Sequence, residues 1–252
     1  MPVLVTRPAP DAQRWVLRLR ERGLAAEALP LLAIGAAPDP AALRSARGAL
    51  ASYAAVMFVS ANAVQGFCAP GVAWPEATRA WAPGPGTAQA LREQGVSAGA
   101  IDAPAADAAQ FDSESLWQAV GGQLRAGDRL LLVRGADAEG RSQGREWLAA
   151  QLAAAGVQVD VVLAYRRALP AWTDAQRALA ARCTGPDALW LFSSSEAAAN
   201  LRQLAPGLQW AASRALATHP RIAEAVRALG FGQVQECRPA FEDVVASIES
   251  IR

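Results

Sequence analysis

A chain of 252 residues with 52% hydrophobic and 19% charged side chains can bury a sizeable core, which excludes disorder as its main state. Its 24 basic and 23 acidic residues leave a formal charge of +1, without the basic excess of a non-specific nucleic-acid binder. Three scattered cysteines (Cys68, Cys183, Cys237) and one histidine, His219, argue against a disulfide framework and leave a zinc or iron site short of ligands.

The opening Met-Pro-Val-Leu-Val-Thr-Arg-Pro has no charged region ahead of an apolar run, so a signal peptide is not expected and the cytoplasm is. No apolar stretch reaches the length of a membrane span. Val3-Leu4-Val5 reads as a first buried strand, followed by Thr6-Arg7 and a helix from Ala12 to Arg22. Leu29 to Ile34 then runs into Pro38-Asp39-Pro40, a break point. Ala55 to Val59 is a second strand, leading into Ser60-Ala61-Asn62. Gly84-Pro85-Gly86-Thr87 opens a helix from Thr87 to Gln94, and another is expected from Glu114 to Leu124. The strand Leu130 to Val133 delivers Arg134-Gly135. A helix from Arg145 to Ala155 precedes a long extended stretch, Val157 to Arg167. Helices from Ala175 to Arg182 and from Arg221 to Leu229 flank the strand Leu189 to Phe192 and its Ser193-Ser194-Ser195. Gly23, Gly95, Gly156 and Gly230 stand where left-handed helix C-caps belong, each followed by another expected apolar strand. This alternation predicts an α/β protein with doubly wound parallel sheets and helices on both faces.

Two segments echo each other. Phe58-Val59-Ser60-Ala61-Asn62-Ala63 resembles Phe192-Ser193-Ser194-Ser195-Glu196-Ala197, and the segment from Pro85 to Arg92 resembles that from Pro220 to Arg227. A nearly constant offset is what two related domains leave behind, although alanine-rich helices also look alike by chance. If each repeat is a domain, the first βαβ is left over, and the simplest resolution joins it to the C-terminal half. That gives residues 1–35 plus 167–252 as one α/β domain and 36–166 as a second, inserted one. The two crossings would form a hinge.

Ligands of open parallel sheets bind where strand ends meet helix N-termini, whose free N–H groups favour anions. The candidates there are Arg7, Ser60, Asn62, Gly86, Thr87, Arg134, Gly135, Ser194, Ser195, His219 and Arg221. Each has a plainer reading: the serines as N-caps, the arginines in surface ion pairs, His219 as a helix-start residue. Neither GxGxxG nor GxxxxGK[ST] occurs, so nucleotide chemistry lacks support.

Val5-Thr6-Arg7-Pro8, Phe58-Val59-Ser60-Ala61-Asn62-Ala63-Val64, Gly84-Pro85-Gly86-Thr87-Ala88, Leu132-Val133-Arg134-Gly135 and Tyr165-Arg166 together resemble uroporphyrinogen-III synthases, in order along nearly the whole chain. Val59 departs from the family's usual threonine. The resemblance implies two flavodoxin-like domains joined by a two-stranded β ladder. It also implies a cofactor-free cyclising lyase that closes hydroxymethylbilane to uroporphyrinogen III. A monomer, with hand-over of the bilane from hydroxymethylbilane synthase and no nucleic acid or membrane partner, is implied as well. Tyr165 is its candidate catalytic group, because a phenol can donate a hydrogen bond to a departing hydroxyl; the plainer reading is a hinge aromatic. Ser60 and Thr87 carry over as ligand contacts. A two-domain protein that binds a small anion without chemistry is the alternative.

Overall fold

The computed structural model describes residues 1–68, 73–105, 108, 111–141 and 147–251. In chain order the first elements are β1 (Val3–Val5), α1 (Ala9–Glu21), β2 (Ala26–Ala28), β3 (Ala33–Gly35), α2 (Pro40–Gly48), β4 (Ala55–Phe58) and α3 (Ala61–Phe67). Next come β5 (Arg79–Trp81), α4 (Pro85–Glu93), β6 (Ile101–Asp102), α5 (Ser113–Val120), β7 (Arg129–Ala136), α6 (Trp147–Ala154) and β8 (Gln158–Ala168). The last are α7 (Asp174–Arg182), β9 (Leu189–Phe192), α8 (Ser195–Leu204), β10 (Arg214–Ala217), α9 (Pro220–Ala228), β11 (Gln233–Glu236) and α10 (Phe241–Ile251).

The chain divides into two units, Met1–Ala33 with Ala168–Arg252, and Ile34–Arg167. The first holds a five-stranded sheet in the order β11-β10-β9-β1-β2, every neighbouring pair parallel. The second holds a six-stranded sheet in the order β3-β8-β7-β4-β5-β6, parallel from β8 to β6. In the first, and in the second from β4 onward, the chain builds outward from the centre to one edge and then toward the other, the doubly wound pattern.

Strand side chains alternate between faces, and each sheet carries an apolar cluster on each face. In the first unit Leu4, Trp190 and Phe192 pack on one side, and Val3, Val5, Leu189 and Leu191 on the other. In the second, Val56, Phe58, Leu131 and Val133 oppose Ala55, Met57, Leu130 and Leu132. Burial on both faces is why these strands read as continuous apolar runs. Aromatic edges tighten the first core: Trp190 lies edge-on to Trp210, with centroids 5.2 Å apart, and Phe192 edge-on to Phe231 at 5.5 Å.

Local chemistry sets the helix ends. Asp39 caps α2 by accepting from the Ala41 and Ala42 N–H groups, both at 2.9 Å, and Pro40 follows in the first helical position. Thr173 and Gln176 form a capping box on α7. Gly23, Gly95, Gly156 and Gly230 all take positive φ, between 72° and 97°.

Several expectations need correction. The helix expected to reach Leu124 stops at Val120, because Gly121-Gly122 follows and a turn from Val120 to Gln123 takes over. The first two residues of the Arg145–Ala155 helix lie outside the described residues. The strand after Gly230 is not apolar: β11 is an edge strand of mostly exposed Gln and Glu. The strand Leu130–Val133 runs on to Ala136, so Arg134 and Gly135 are strand residues rather than a loop.

The internal echo has a structural counterpart. β4 begins at Ala55 and β9 at Leu189, an offset of 134; α4 begins at Pro85 and α9 at Pro220, an offset of 135. The chain passes from one unit to the other at residues 33–34 and 167–168, and β3 lies beside β8 at the edge of the second sheet.

Candidate functional site

In each unit the singled-out residues gather at the carboxyl edge of the parallel strands. In the second unit, Ser60 is the N-cap of α3, and its Oγ accepts from the Ala63 N–H at 3.2 Å. The same Oγ lies 3.2 Å from the Tyr165 Oη, and either hydroxyl could be the donor. Tyr165 stands near the end of β8 with only 4% of its surface exposed. One wall of its surroundings is a cavity of about 410 Å³ bounded by Ile34, Ala37, Leu43, Asn62, Gln65 and Tyr165, among others. Asn62, the second residue of α3, therefore shares a cavity with the phenol.

The end of β5 leads into a different kind of helix N-terminus. Gly84 is the N-cap of α4 in extended conformation and has no side chain with which to cap it. Pro85 carries no N–H, so Gly86 presents the first amide of this terminus to the exterior. A side chain grafted onto Gly86 would meet nothing within 4 Å. Thr87 is buried, and its N–H bonds the Gly84 carbonyl at 3.2 Å. Arg134 is half-buried in β7, beside Gly135. Gly135 is the seat of Tyr165: a β-carbon there would stand 2.5 Å from the ring Cε2 and 2.8 Å from Oη.

In the first unit, Ser194 caps α8 by accepting from the Ala197 N–H at 3.3 Å. The neighbouring Ser195 Oγ is buried, with no hydrogen-bond partner among the described residues. His219 is the N-cap of α9, its Nδ1 accepting from the Arg221 N–H at 3.1 Å; this is the helix-start role its sequence position suggests. Arg221 is exposed on the first turn. Arg7 is committed locally. Its Nη1 lies 3.0 Å from Asp11 Oδ2 and its guanidinium 4.1 Å from the centroid of Trp15. Burial pulls the Arg7 guanidinium below its ordinary range, and Asp11 opposes that pull.

These edges thus combine three arginines, Arg7, Arg134 and Arg221, with neutral hydroxyls and helix N-termini. Such groups suit carboxylates without bringing strong acids or nucleophiles near a reactive carbon. Among the described residues no cluster of three or more His, Cys, Asp or Glu could hold a metal ion, and no helix is long and apolar enough to cross a membrane. A larger cavity, about 530 Å³, lies in the first unit beside Arg202, Trp210 and Leu229. It adjoins the C-terminal ends of α8 and α9, at the opposite edge of the sheet from the caps.

Sequence reasoning missed Gly66 and Ala164, which shape the surroundings of Tyr165. A glycine inside the otherwise helical Ala61–Phe67 segment was the available signal.

A family model described as uroporphyrinogen-III synthase HemD matches residues 13–246. The uroporphyrinogen-III synthase of Salmonella typhimurium is 31% identical over 255 residues, covering 97% of this chain and 98% of that protein. Among solved structures, a mutant uroporphyrinogen III synthase from the extremely thermophilic bacterium Thermus thermophilus aligns with a TM-score of 0.57 at 18% identity, over 100% of this chain and 98% of that one. A uroporphyrinogen-III synthetase from Helicobacter pylori aligns with a TM-score of 0.57 at 15% identity, over 100% and 99%. At these identities the two structures speak for the fold alone.

Proposed function

This chain belongs to the uroporphyrinogen-III synthase family, and from that premise we propose that it closes hydroxymethylbilane to uroporphyrinogen III, with loss of water and inversion of ring D. The observation that carries the reading is the Tyr165 phenol, 3.2 Å from the Ser60 hydroxyl and bordering a cavity at the strand ends. In the proposed reaction Tyr165 donates to the oxygen of the hydroxymethyl group. The C–O bond breaks, the pyrrole nitrogen supplies the electron pair, and an azafulvene forms. The substituted carbon of ring D attacks it to give a spiro intermediate. That carbon's bond to its original methylene then breaks, the electron pair returning to ring D and leaving a second azafulvene at the methylene, which recloses on the unsubstituted α-carbon across the ring D nitrogen. The proton lost there balances the departing hydroxide, so the phenol ends as it began.

The substrate's carboxylates are assigned to Ser60, Asn62, Gly86, Thr87, Arg134, Ser194, Ser195, His219 and Arg221, with Gly135 acting through the tyrosine it seats. Arg7, already paired, belongs to this set only at the cost of its contact with Asp11. The protein's main contribution is to hold one folded form of a flexible chain. The same proposal takes the two units as the enzyme's domains and has it work as a cytoplasmic monomer, receiving its bilane from hydroxymethylbilane synthase.

The test is a coupled assay in which hydroxymethylbilane is generated in place and the product porphyrins are oxidised and resolved by isomer. The expected result is type III product well above the spontaneous type I background. An isomer ratio unchanged from the enzyme-free control ends the proposal.

A further inference from the structure

The β7–β8 ladder runs regularly from Arg129 opposite Gln158 to Arg134 opposite Leu163, then jumps to Gly135 opposite Tyr165. Ala164 is therefore the extra residue of a β-bulge. In an uninterrupted strand Val162 and Ala164 would face one side and Tyr165 the other. The bulge cancels one step of that alternation, and Val162, Ala164 and Tyr165 all join the apolar cluster that contains Ala63, Val64 and Phe67 of α3. Without it, Tyr165 would point away from Ser60.

A bulge needs room, and two glycines give it. At Gly66 of α3, an added β-carbon would overlap the Ala164 carbonyl oxygen and stand 3.0 Å from its carbon. At Gly135 it would cut into the Tyr165 ring. The geometry points to one positioning device: the Ala164 bulge, relieved by Gly66 and Gly135, aims the Tyr165 phenol at the Ser60 hydroxyl. Gly135 is the positioning residue that can be tested, because its obstacle is the movable end of a side chain and not backbone. This inference rests on the catalytic reading of Tyr165 for its kinetic consequence, but not for its geometry.

Gly135→Ala should leave the fold in place and push the ring off Ser60. The sequence has only two tyrosines, so Tyr53→Phe leaves Tyr165 as the sole one. With tyrosine carrying ¹³C at the ring carbon that bears the hydroxyl, one NMR resonance then reports the phenol's surroundings. It should move in Gly135→Ala and also in Ser60→Ala, the second variant keeping the test open if the first does not fold. A resonance unmoved by either substitution overturns the device. Kinetically, Gly135→Ala should lower kcat at least tenfold with the unfolding midpoint near that of the parent, and should add nothing in a Tyr165→Phe background. Losses that multiply in the double variant would show Gly135 acting by another route and overturn its positioning role. If Tyr165→Phe alone leaves kcat intact, the catalytic reading fails, and the resonance still decides the geometry.

Discussion

Gly66→Ala sets two physical effects against each other. Gly66 lies within α3, where replacing glycine with alanine usually stabilises by up to about 1 kcal/mol through helix propensity and a less flexible unfolded chain. Here the new methyl would meet the Ala164 carbonyl carbon at 3.0 Å and the Ala164 Cβ at 3.2 Å, with the carbonyl oxygen nearer still. Retreat of the helix is resisted at its end, where the Arg47 guanidinium donates to the Gly66 carbonyl at 2.8 Å and to that of Phe67 at 2.6 Å. Overpacking of this kind costs about 1–3 kcal/mol, so the collision should win and the variant should lose roughly 1–2 kcal/mol. At about 2–4 °C per kcal/mol, the melting midpoint should fall by several degrees. Gly48, the last residue of α2, has nothing within 4 Å of an added β-carbon and serves as the control. Gly48→Ala should be neutral or slightly stabilising. Urea and thermal unfolding followed by circular dichroism measure both. A Gly66→Ala protein as stable as Gly48→Ala would mean that the bulge carbonyl does not press on α3, and the reasoning would fail with it.

Other expectations follow from the same geometry. Tyr165→Phe should slow turnover at least tenfold without lowering the unfolding midpoint by more than a few degrees, and unchanged turnover in steady-state assays would remove the phenol from the mechanism. Gly86→Leu points a side chain into open space, so the protein should stay folded while KM rises severalfold; a wild-type KM would place the α4 terminus outside the site. Arg7→Met breaks the Asp11 pair and the Trp15 contact and should cost roughly 1–2 kcal/mol of stability, whereas a raised KM at unchanged stability would return Arg7 to the site. Burial lifts the Cys68 thiol to about 11 and the Cys237 thiol to about 12, so at pH 7 the reactive thiolate of Cys68 is on the order of 10⁻⁴ of the total, growing tenfold per pH unit. Disulfide reagents should label the native protein slowly, and rapid labelling of Cys68 at pH 7 would contradict that burial.

Much of the frame was legible in the residues. Strands buried on both faces announce themselves as apolar runs, and a glycine that must take positive φ is nearly a spelling rule for a helix end. The carboxyl-edge loops were legible for the same reason: Ser60 and Ser194 cap helices because a short hydroxyl there meets an orphan N–H. The register of β8 was not legible. Ala164 and Tyr165 read as ordinary neighbours on opposite faces, and only the pairing with β7 reveals the skipped step. Arg7 shows the same limit, since a cation after a strand looks alike whether it awaits a ligand or has found Asp11.

The two sheets share a strand order but differ at one strand end. Their strand orders match as β11-β10-β9-β1-β2 against β6-β5-β4-β7-β8, so β1 occupies the place of β7. Val3 pairs with Leu189 just as Leu130 pairs with Ala55, which sets Arg7 against Arg134 and Pro8 against Gly135. Pro8 is the N-cap of α1 and brings no N–H to a ladder, so β1 stops at Val5 and β2 at Ala28. In the other unit glycine stands at that position, β7 continues to Ala136, and β8 stays paired through Tyr165 and Arg166. Helix N-termini suited to carboxylates recur in both units because the shared frame creates them. The phenol over a glycine occurs in one, because only there does the ladder run long enough to carry a bulge. Capped helix N-termini at strand ends are thus common to the two units, and the Ser60–Tyr165 pair is confined to the unit whose central strand extends further.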